Sequence, residues 1–160
     1  MPGLSLVEML VVLAVASILC ASALPSFGEL LRGHAMTAAS SQWMASLQRA
    51  RAEAMRRGVP VTVVAAETGG WNAGWTLFRD ENGNRALDRD EEVLYAYGPI
   101  AETLNVKLNF AGKPMQFHPN GRPLQSGHVL LTLGPMRRKV IVNMLGRSRV
   151  CNPDQPAGSC

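Results

Sequence analysis

The sequence predicts an α+β fold in which one long N-terminal helix, its first half apolar enough to lie in a membrane, packs through its second half on an antiparallel β-sheet domain. Three observations lead there. Residues 9–24 read MLVVLAVASILCASAL, without a charged side chain. Met36, Ala39, Trp43, Leu47, Ala50 and Ala54 then recur at spacings of 3 and 4, which is one face of a helix. From Val61 onward, short apolar runs alternate with Gly, Pro and Asn, the punctuation of strands and turns.

The bulk numbers bound the answer. A chain of 160 residues suits one domain. A hydrophobic content of 47% excludes disorder throughout, and three cysteines exclude a disulfide-dense scaffold or a four-cysteine zinc site. The sequence contains no Gly-rich phosphate loop, no HExxH and no GxSxG, so the common enzyme signatures are absent. The net charge of +4 is unevenly spread: residues 1–102 hold 8 basic and 11 acidic side chains, residues 103–160 hold 8 basic and one acidic, Asp154. The positive charge therefore belongs to the C-terminal portion, where an anionic partner would read it.

The first element runs from Leu4 to Leu24 and, as a helix, spans roughly 31 Å, close to a bilayer core. A cleaved secretory signal is the rival reading. Ala21-Ser22-Ala23 resembles its cleavage site, but the basic region that should precede the apolar run is missing. Glu8 interrupts the apolar stretch. A carboxylate there either marks function or snorkels into the headgroup region.

The helix then turns amphipathic and continues to Arg57. The Trp43 stripe forms its core face, and Arg49, Glu53 and Arg57 form i,i+4 pairs on the other side. Gly58 and Pro60 end it. Candidate strands follow at Val61–Ala66, Trp75–Arg79, Val93–Tyr97, Val106–Phe110, Met115–His118, Val129–Leu133, Lys139–Met144 and Ser148–Cys151.

At the N-terminus, Gly3-Leu4-Ser5-Leu6-Val7-Glu8-Met9-Leu10 resembles the processing site of type IV prepilins and type II secretion pseudopilins. The resemblance implies cleavage after Gly3 by a prepilin peptidase, N-methylation of Leu4, and pairing of Glu8 with the N-terminal amine of a neighbouring subunit. A buried carboxylate is tolerable with such an ammonium partner. Pro25 falls where pilins carry a helix-kinking proline. Leu4 stands where Phe is usual, and the leader lacks the customary Lys or Arg. Gly74-Trp75-Thr76-Leu77-Phe78-Arg79-Asp80-Glu81-Asn82-Gly83-Asn84, Phe117-His118-Pro119-Asn120-Gly121-Arg122 and Gly146-Arg147-Ser148-Arg149-Val150-Cys151 are similar to the FimT and GspH group of minor pilins and pseudopilins. The implied layout is a leader at 1–3, a transmembrane and assembly helix at 4–28, its amphipathic second half at 29–58, and a β-rich globular domain at 59–160.

Pilins often close a C-terminal disulfide loop, and in an oxidising periplasm Cys151 and Cys160 would form one; the other reading is two free thiols. Cys20 reads as a small apolar residue. Asp80, Asn82, Asn84, Asp88 and Glu91 sit at offsets 1, 3, 5, 9 and 12 of a Ca²⁺ loop, a weak candidate because Arg85 occupies the position that needs Gly. The competing reading is a polar hairpin loop with Asn-Gly turn chemistry. His34, His118 and His128 are scattered and suggest no metal site. No cofactor is expected, and the chain reads as a non-enzyme.

The basic C-terminus gives the sharpest expectation. Arg137, Arg138 and Lys139 precede one strand, and Arg147 and Arg149, two apart, follow it on one face. The Asn143–Gly146 turn would bring the two clusters together, and arginine forks bind phosphate well. The bland alternative is a solvated strand end, or charge that docks a neighbouring subunit. In FimT-type pilins a Gly-Arg-x-Arg motif binds DNA, and Gly146-Arg147-Ser148-Arg149 matches it. The resemblance implies a minor pilin that sits in the inner membrane with its domain in the periplasm and assembles with major and minor pilins. It would bind extracellular DNA, mainly by its phosphates, for natural transformation. The alternative it leaves is a GspH-like pseudopilin of type II secretion, or a FimU-like priming subunit, with no DNA binding.

Overall fold

The computed structural model describes residues 5–66, 69–101, 103–110, 114–155 and 160, with backbone alone for 21–26. Gly3 and Leu4, the expected processing site, lie outside the described residues, as do the side chains around Pro25. Helix α1 is assigned over Leu6–Arg57. The chain divides into two compact units, Met1–His34 and Ala35–Cys160.

In the first unit, Ser5 caps the helix: the Glu8 amide donates to Ser5 Oγ at 3.3 Å and to the Ser5 carbonyl at 3.1 Å. Glu8 thus stands three residues after a serine cap, in the first turn, where the helix dipole favours a carboxylate. Leu6, Val7, Met9, Leu10, Val11, Val12, Leu13, Val15, Ile18 and Leu19 are all exposed. A helix apolar on every side needs cover from something other than water. Among the described residues no helix is long and apolar enough to cross a membrane.

In the second unit, the predicted stripe is the buried face of α1: Met36, Ala39, Trp43, Leu47, Ala50 and Ala54 are each 1% exposed or less. It packs into one hydrophobic core with two four-stranded antiparallel sheets. The strands are β1 (Val61–Ala66), β2 (Gly70–Arg79), β3 (Val93–Tyr97), β4 (Asn105–Asn109), β5 (Met115–Phe117), β6 (Gly127–Leu133), β7 (Met136–Val142) and β8 (Ser148–Cys151). The first sheet has the order β3-β2-β1-β5 and the second β4-β6-β7-β8. Val61, Val63, Leu77 and Phe117 supply buried side chains from the first sheet, and Val106, Val129, Leu131, Val140 and Val142 from the second. Trp43 stacks on Trp75 with ring centroids 3.9 Å apart, Trp75 stacks on Tyr97 at 5.2 Å, and Trp71 tilts against Trp43 at 5.8 Å. Arg57 at the helix end bonds both Glu53 and Glu92, which ties α1 to the approach of β3. Hydrogen bonds from Arg57 and Arg56 hold the Glu53 carboxyl below its usual range.

Two differences from the sequence reading bear on function. β2 begins at Gly70 rather than Trp75, because its bulged pairing with β1 reaches Ala66 opposite Gly70. β7 begins at Met136 rather than Lys139, because Thr132 and Leu131 of β6 pair with Arg137 and Arg138. The basic run therefore lies inside a strand, not ahead of one.

Cys151 and Cys160 form a disulfide, Cα–Cα 5.5 Å, closing a loop onto β8. In the chain-entropy account a loop of this length stabilises by about 2–3 kcal/mol. Replacing both cysteines by serine is expected to lower the melting temperature by roughly 10 °C in a thermal scan.

Candidate nucleic-acid interface

The candidate site is the β7–β8 hairpin. Its strands pair Val142 with Ser148, Ile141 with Arg149, Val140 with Val150 and Lys139 with Cys151. Asn143 builds the turn. Its carbonyl accepts the Gly146 amide at 2.9 Å, and its side-chain Oδ1 accepts the amides of Leu145 and Arg147, each at 3.0 Å. An asparagine that bonds its own backbone two and four residues on fixes such a turn without help from the core.

The alternation of strand side chains then sends Arg147 and Arg149 to the face that Ile141 and Lys139 share, away from buried Val140 and Val142. Ile141, Asn143, Arg147, Ser148 and Arg149 line an open groove of about 420 Å³. Arg149 Nη2 donates to the Cys160 carbonyl at 3.3 Å, so the disulfide loop steadies that guanidinium. Arg147 is exposed and has no side-chain bond or ion pair among the described residues. Two guanidiniums beside a shallow groove can fork onto the oxygens of successive phosphates.

Gly146, the first residue of the motif, has φ +75°, and a Cβ there would lie 2.3 Å from the Gly121 carbonyl oxygen. Only glycine allows the hairpin to rest on that neighbouring turn. Arg51 of α1 pins both: its Nε donates to the Gly121 carbonyl at 2.9 Å and its Nη1 to the Gly146 carbonyl at 3.3 Å. Arg51 was not legible as a site residue, since its partners are backbone atoms 70 and 95 residues away.

The first basic cluster joins the second only in part. Arg137 lies at the far end of β7, about 20 Å along the strand from the turn. It is ion-paired with Asp154, which keeps the Asp154 carboxyl below its ordinary range and raises the Arg137 guanidinium. Arg138 alternates to the opposite face of β7, opposite Leu131, and its Nη1 donates to the Arg137 carbonyl at 3.0 Å. Lys139 and Arg137 share the Arg149 face, but Arg137 is taken up by Asp154. His128, which pairs with Ile141, sits beside Lys139, and partial burial together with that charge pushes the imidazole below its usual range. Of the five expected cations, the twofold period sends Arg138 to the other face and the ion pair with Asp154 occupies Arg137, which leaves Lys139, Arg147 and Arg149 on one face.

The acidic loop is held by hydrogen bonds of its own and to the sheet. Asp80 is fully buried, and its Oδ2 accepts from the Thr62 hydroxyl at 2.8 Å, the Gln116 amide at 2.6 Å and the Arg85 backbone at 3.0 Å. Asn82 and Asn84 each bond a backbone amide two residues on, and both donate to Asp88 Oδ2. Glu91 accepts the Asp88 amide at 3.0 Å. Asn82, Asn84, Asp88 and Glu91 bond within the loop, Asp80 bonds outward to the sheet, and Arg85 is accommodated at φ +64°. Among the described residues no group of three or more His, Cys, Asp or Glu could hold a metal.

Three comparisons bear on this arrangement. The family model described as "Type II transport protein GspH" matches residues 39–146, which include the Trp43 stripe from Ala39 onward and end at the motif glycine. The chain is 31% identical over 155 residues to "Pilin-like protein PilA1" of Thermus thermophilus, covering 92% of this chain and 97% of that one. Its fold resembles the type IV minor pilin FimU of Pseudomonas aeruginosa, with TM-score 0.60 and 20% identity over 78% of this chain and 93% of that one. It also resembles the minor pseudopilin EpsH of the Vibrio cholerae type 2 secretion system, with TM-score 0.55 and 12% identity over 74% and 98% of the two chains.

Proposed function

The chain belongs to the GspH family of type II transport proteins, a branch of the pilins and pseudopilins, and on that premise we propose that it is a minor pilin that carries duplex DNA on its β7–β8 hairpin during DNA uptake. A pilin-like subunit associates with other pilins in a pilus or pseudopilus, and its work is structural rather than catalytic. In this reading the peptidase cleaves after Gly3, Leu4 is methylated, and Glu8 meets the new amine of a neighbouring subunit. The subunit starts in the inner membrane through its apolar helix, with the domain in the periplasm.

The observation that carries the DNA reading is the pair Arg147 and Arg149, on one face of a rigid hairpin, flanking a groove. Their contacts are mainly with phosphates, so recognition is weakly sequence-specific and salt-sensitive. Lys139 adds charge on the same face, and Arg137 is committed to Asp154. One feature favours the second reading, an assembly subunit without DNA binding: Met144 and Leu145 at the hairpin tip are 55% and 52% exposed, which suits burial against a neighbouring subunit.

One experiment separates them. Cells carrying Arg147→Gln/Arg149→Gln are scored for filaments and for DNA uptake. Normal filaments with uptake lost support the proposal. Absent filaments move the function of the hairpin to assembly.

A further inference from the structure

The motif hairpin does not stand alone. The Gly121 carbonyl that receives Gly146 precedes Arg122, an exposed arginine with no side-chain hydrogen bond or ion pair among the described residues. The Arg122 turn is built like the other one. The Gly121 amide donates to the His118 carbonyl at 2.9 Å, the His118 amide to the Arg122 carbonyl at 2.9 Å, and Asn120 Oδ1 accepts the Arg122 amide at 2.9 Å. The contact between the turns limits the Cα atoms of Arg122 and Arg147 to about 10 Å apart, within the combined reach of two arginine side chains. Arg51 bonds both turns at once and fixes that spacing. On the other side, Gly121 rests against Met55, where Gln48, Arg51, Ala52, Met55 and Arg56 line a second open groove of about 670 Å³. The one carboxylate on that stretch of helix, Glu53, is taken up by Arg56 and Arg57 at 2.6 and 2.7 Å.

We propose that Arg122 is a third phosphate-contacting arginine, held beside Arg147 by Arg51, so that the anion track runs from the β7–β8 hairpin across the Gly121–Arg122 turn toward helix α1. The partner is the sugar–phosphate backbone of duplex DNA. The proposal rests on the DNA-binding reading and adds a residue outside the Gly-Arg-x-Arg motif. Arg51 is a positioning residue: its Nε and Nη1 hold the two turn carbonyls, and Arg122 and Arg147 meet the ligand.

The test uses the full chain in detergent micelles and a labelled duplex of mixed sequence, titrated over a range of salt. Arg122→Gln is compared with wild type, with Arg147→Gln/Arg149→Gln, and with Arg89→Gln, which removes the same charge from an exposed position in the acidic loop. Arg122→Gln is expected to weaken binding about fivefold at physiological salt and to flatten the log–log salt slope by about 0.9, with melting temperature unchanged. Arg89→Gln should leave the slope as in wild type. A slope for Arg122→Gln equal to wild type, while Arg147→Gln/Arg149→Gln flattens it, overturns this inference and spares the parent reading. Equal losses from Arg122→Gln and Arg89→Gln overturn it as well, since net charge would then explain both. Wild type without salt-sensitive binding sinks both readings together.

Discussion

Trp43→Ala is expected to destabilise the domain by about 4 kcal/mol, the largest single effect in this fold. Trp43 has no exposed surface and lies at the centre of an aromatic group that joins α1 to the first sheet. Two terms add. Removing the indole leaves a cavity that Trp71, Trp75 and Tyr97, locked by their own strands, fill only in part. The stacked contact with Trp75 is lost as well, at about 0.5–1.5 kcal/mol. No hydrogen bond is forfeited, because the Trp43 indole nitrogen has no partner among the described residues. The loss is therefore one of packing, and Trp43→Phe should recover more than half of it. Thermal or denaturant unfolding of the three proteins checks this. A drop of roughly 10–20 °C for the alanine variant is expected. A shift within a few degrees would mean that α1 is not docked through this stripe.

Gly146→Ala is expected to cost about 3 kcal/mol, although it adds a single methyl group at the surface end of a hairpin. The left-handed backbone at φ +75° accounts for about 1–2 kcal/mol with an L side chain. The rest comes from the Gly121 carbonyl, 2.3 Å from the new methyl position, and from Arg51 Nε at 2.9 Å. Neither is the free end of a flexible chain, so the hairpin has to move off its neighbour. Gly121→Ala is the informative contrast. Its φ is similar, but its nearest obstacle is Met55 Sδ at 2.6 Å, the movable part of an exposed side chain. That variant should lose about half as much. Equal losses would show that backbone strain alone decides both, and that the contact between the turns contributes little.

Much of the architecture was legible because it is local. The spacing of Met36, Ala39, Trp43, Leu47, Ala50 and Ala54 is a helix face whatever surrounds it, and all six are buried. Val61–Ala66, Val93–Tyr97 and Ser148–Cys151 are strands at the boundaries their apolar runs mark. What needed coordinates was long-range. Asp80 opens a sequence that reads as a calcium loop, yet it points inward because Thr62 and Gln116, from two other strands, offer it donors. Arg137 reads as a free cation until Asp154, 17 residues on, meets it. Arg138 reads as its companion until the strand start at Met136 sends the two to opposite faces. Arg51 reads as one more surface arginine on the helix, and only the approach of two glycine turns gives its guanidinium a task. The motif itself was visible as four residues, but its glycine serves packing and its two arginines serve the surface, a division that spacing alone does not express.

Phosphates of duplex DNA held by Arg147 and Arg149 make the affinity for DNA depend on salt through those two side chains. The most direct measurement is the salt dependence of duplex affinity for the full chain and for Arg147→Gln/Arg149→Gln, both verified as folded by circular dichroism. Two lost phosphate contacts predict a log–log slope shallower by about 1.8 and binding about 30-fold weaker at physiological salt. Identical slopes and affinities for the two proteins would contradict the claim and leave the hairpin as an assembly surface.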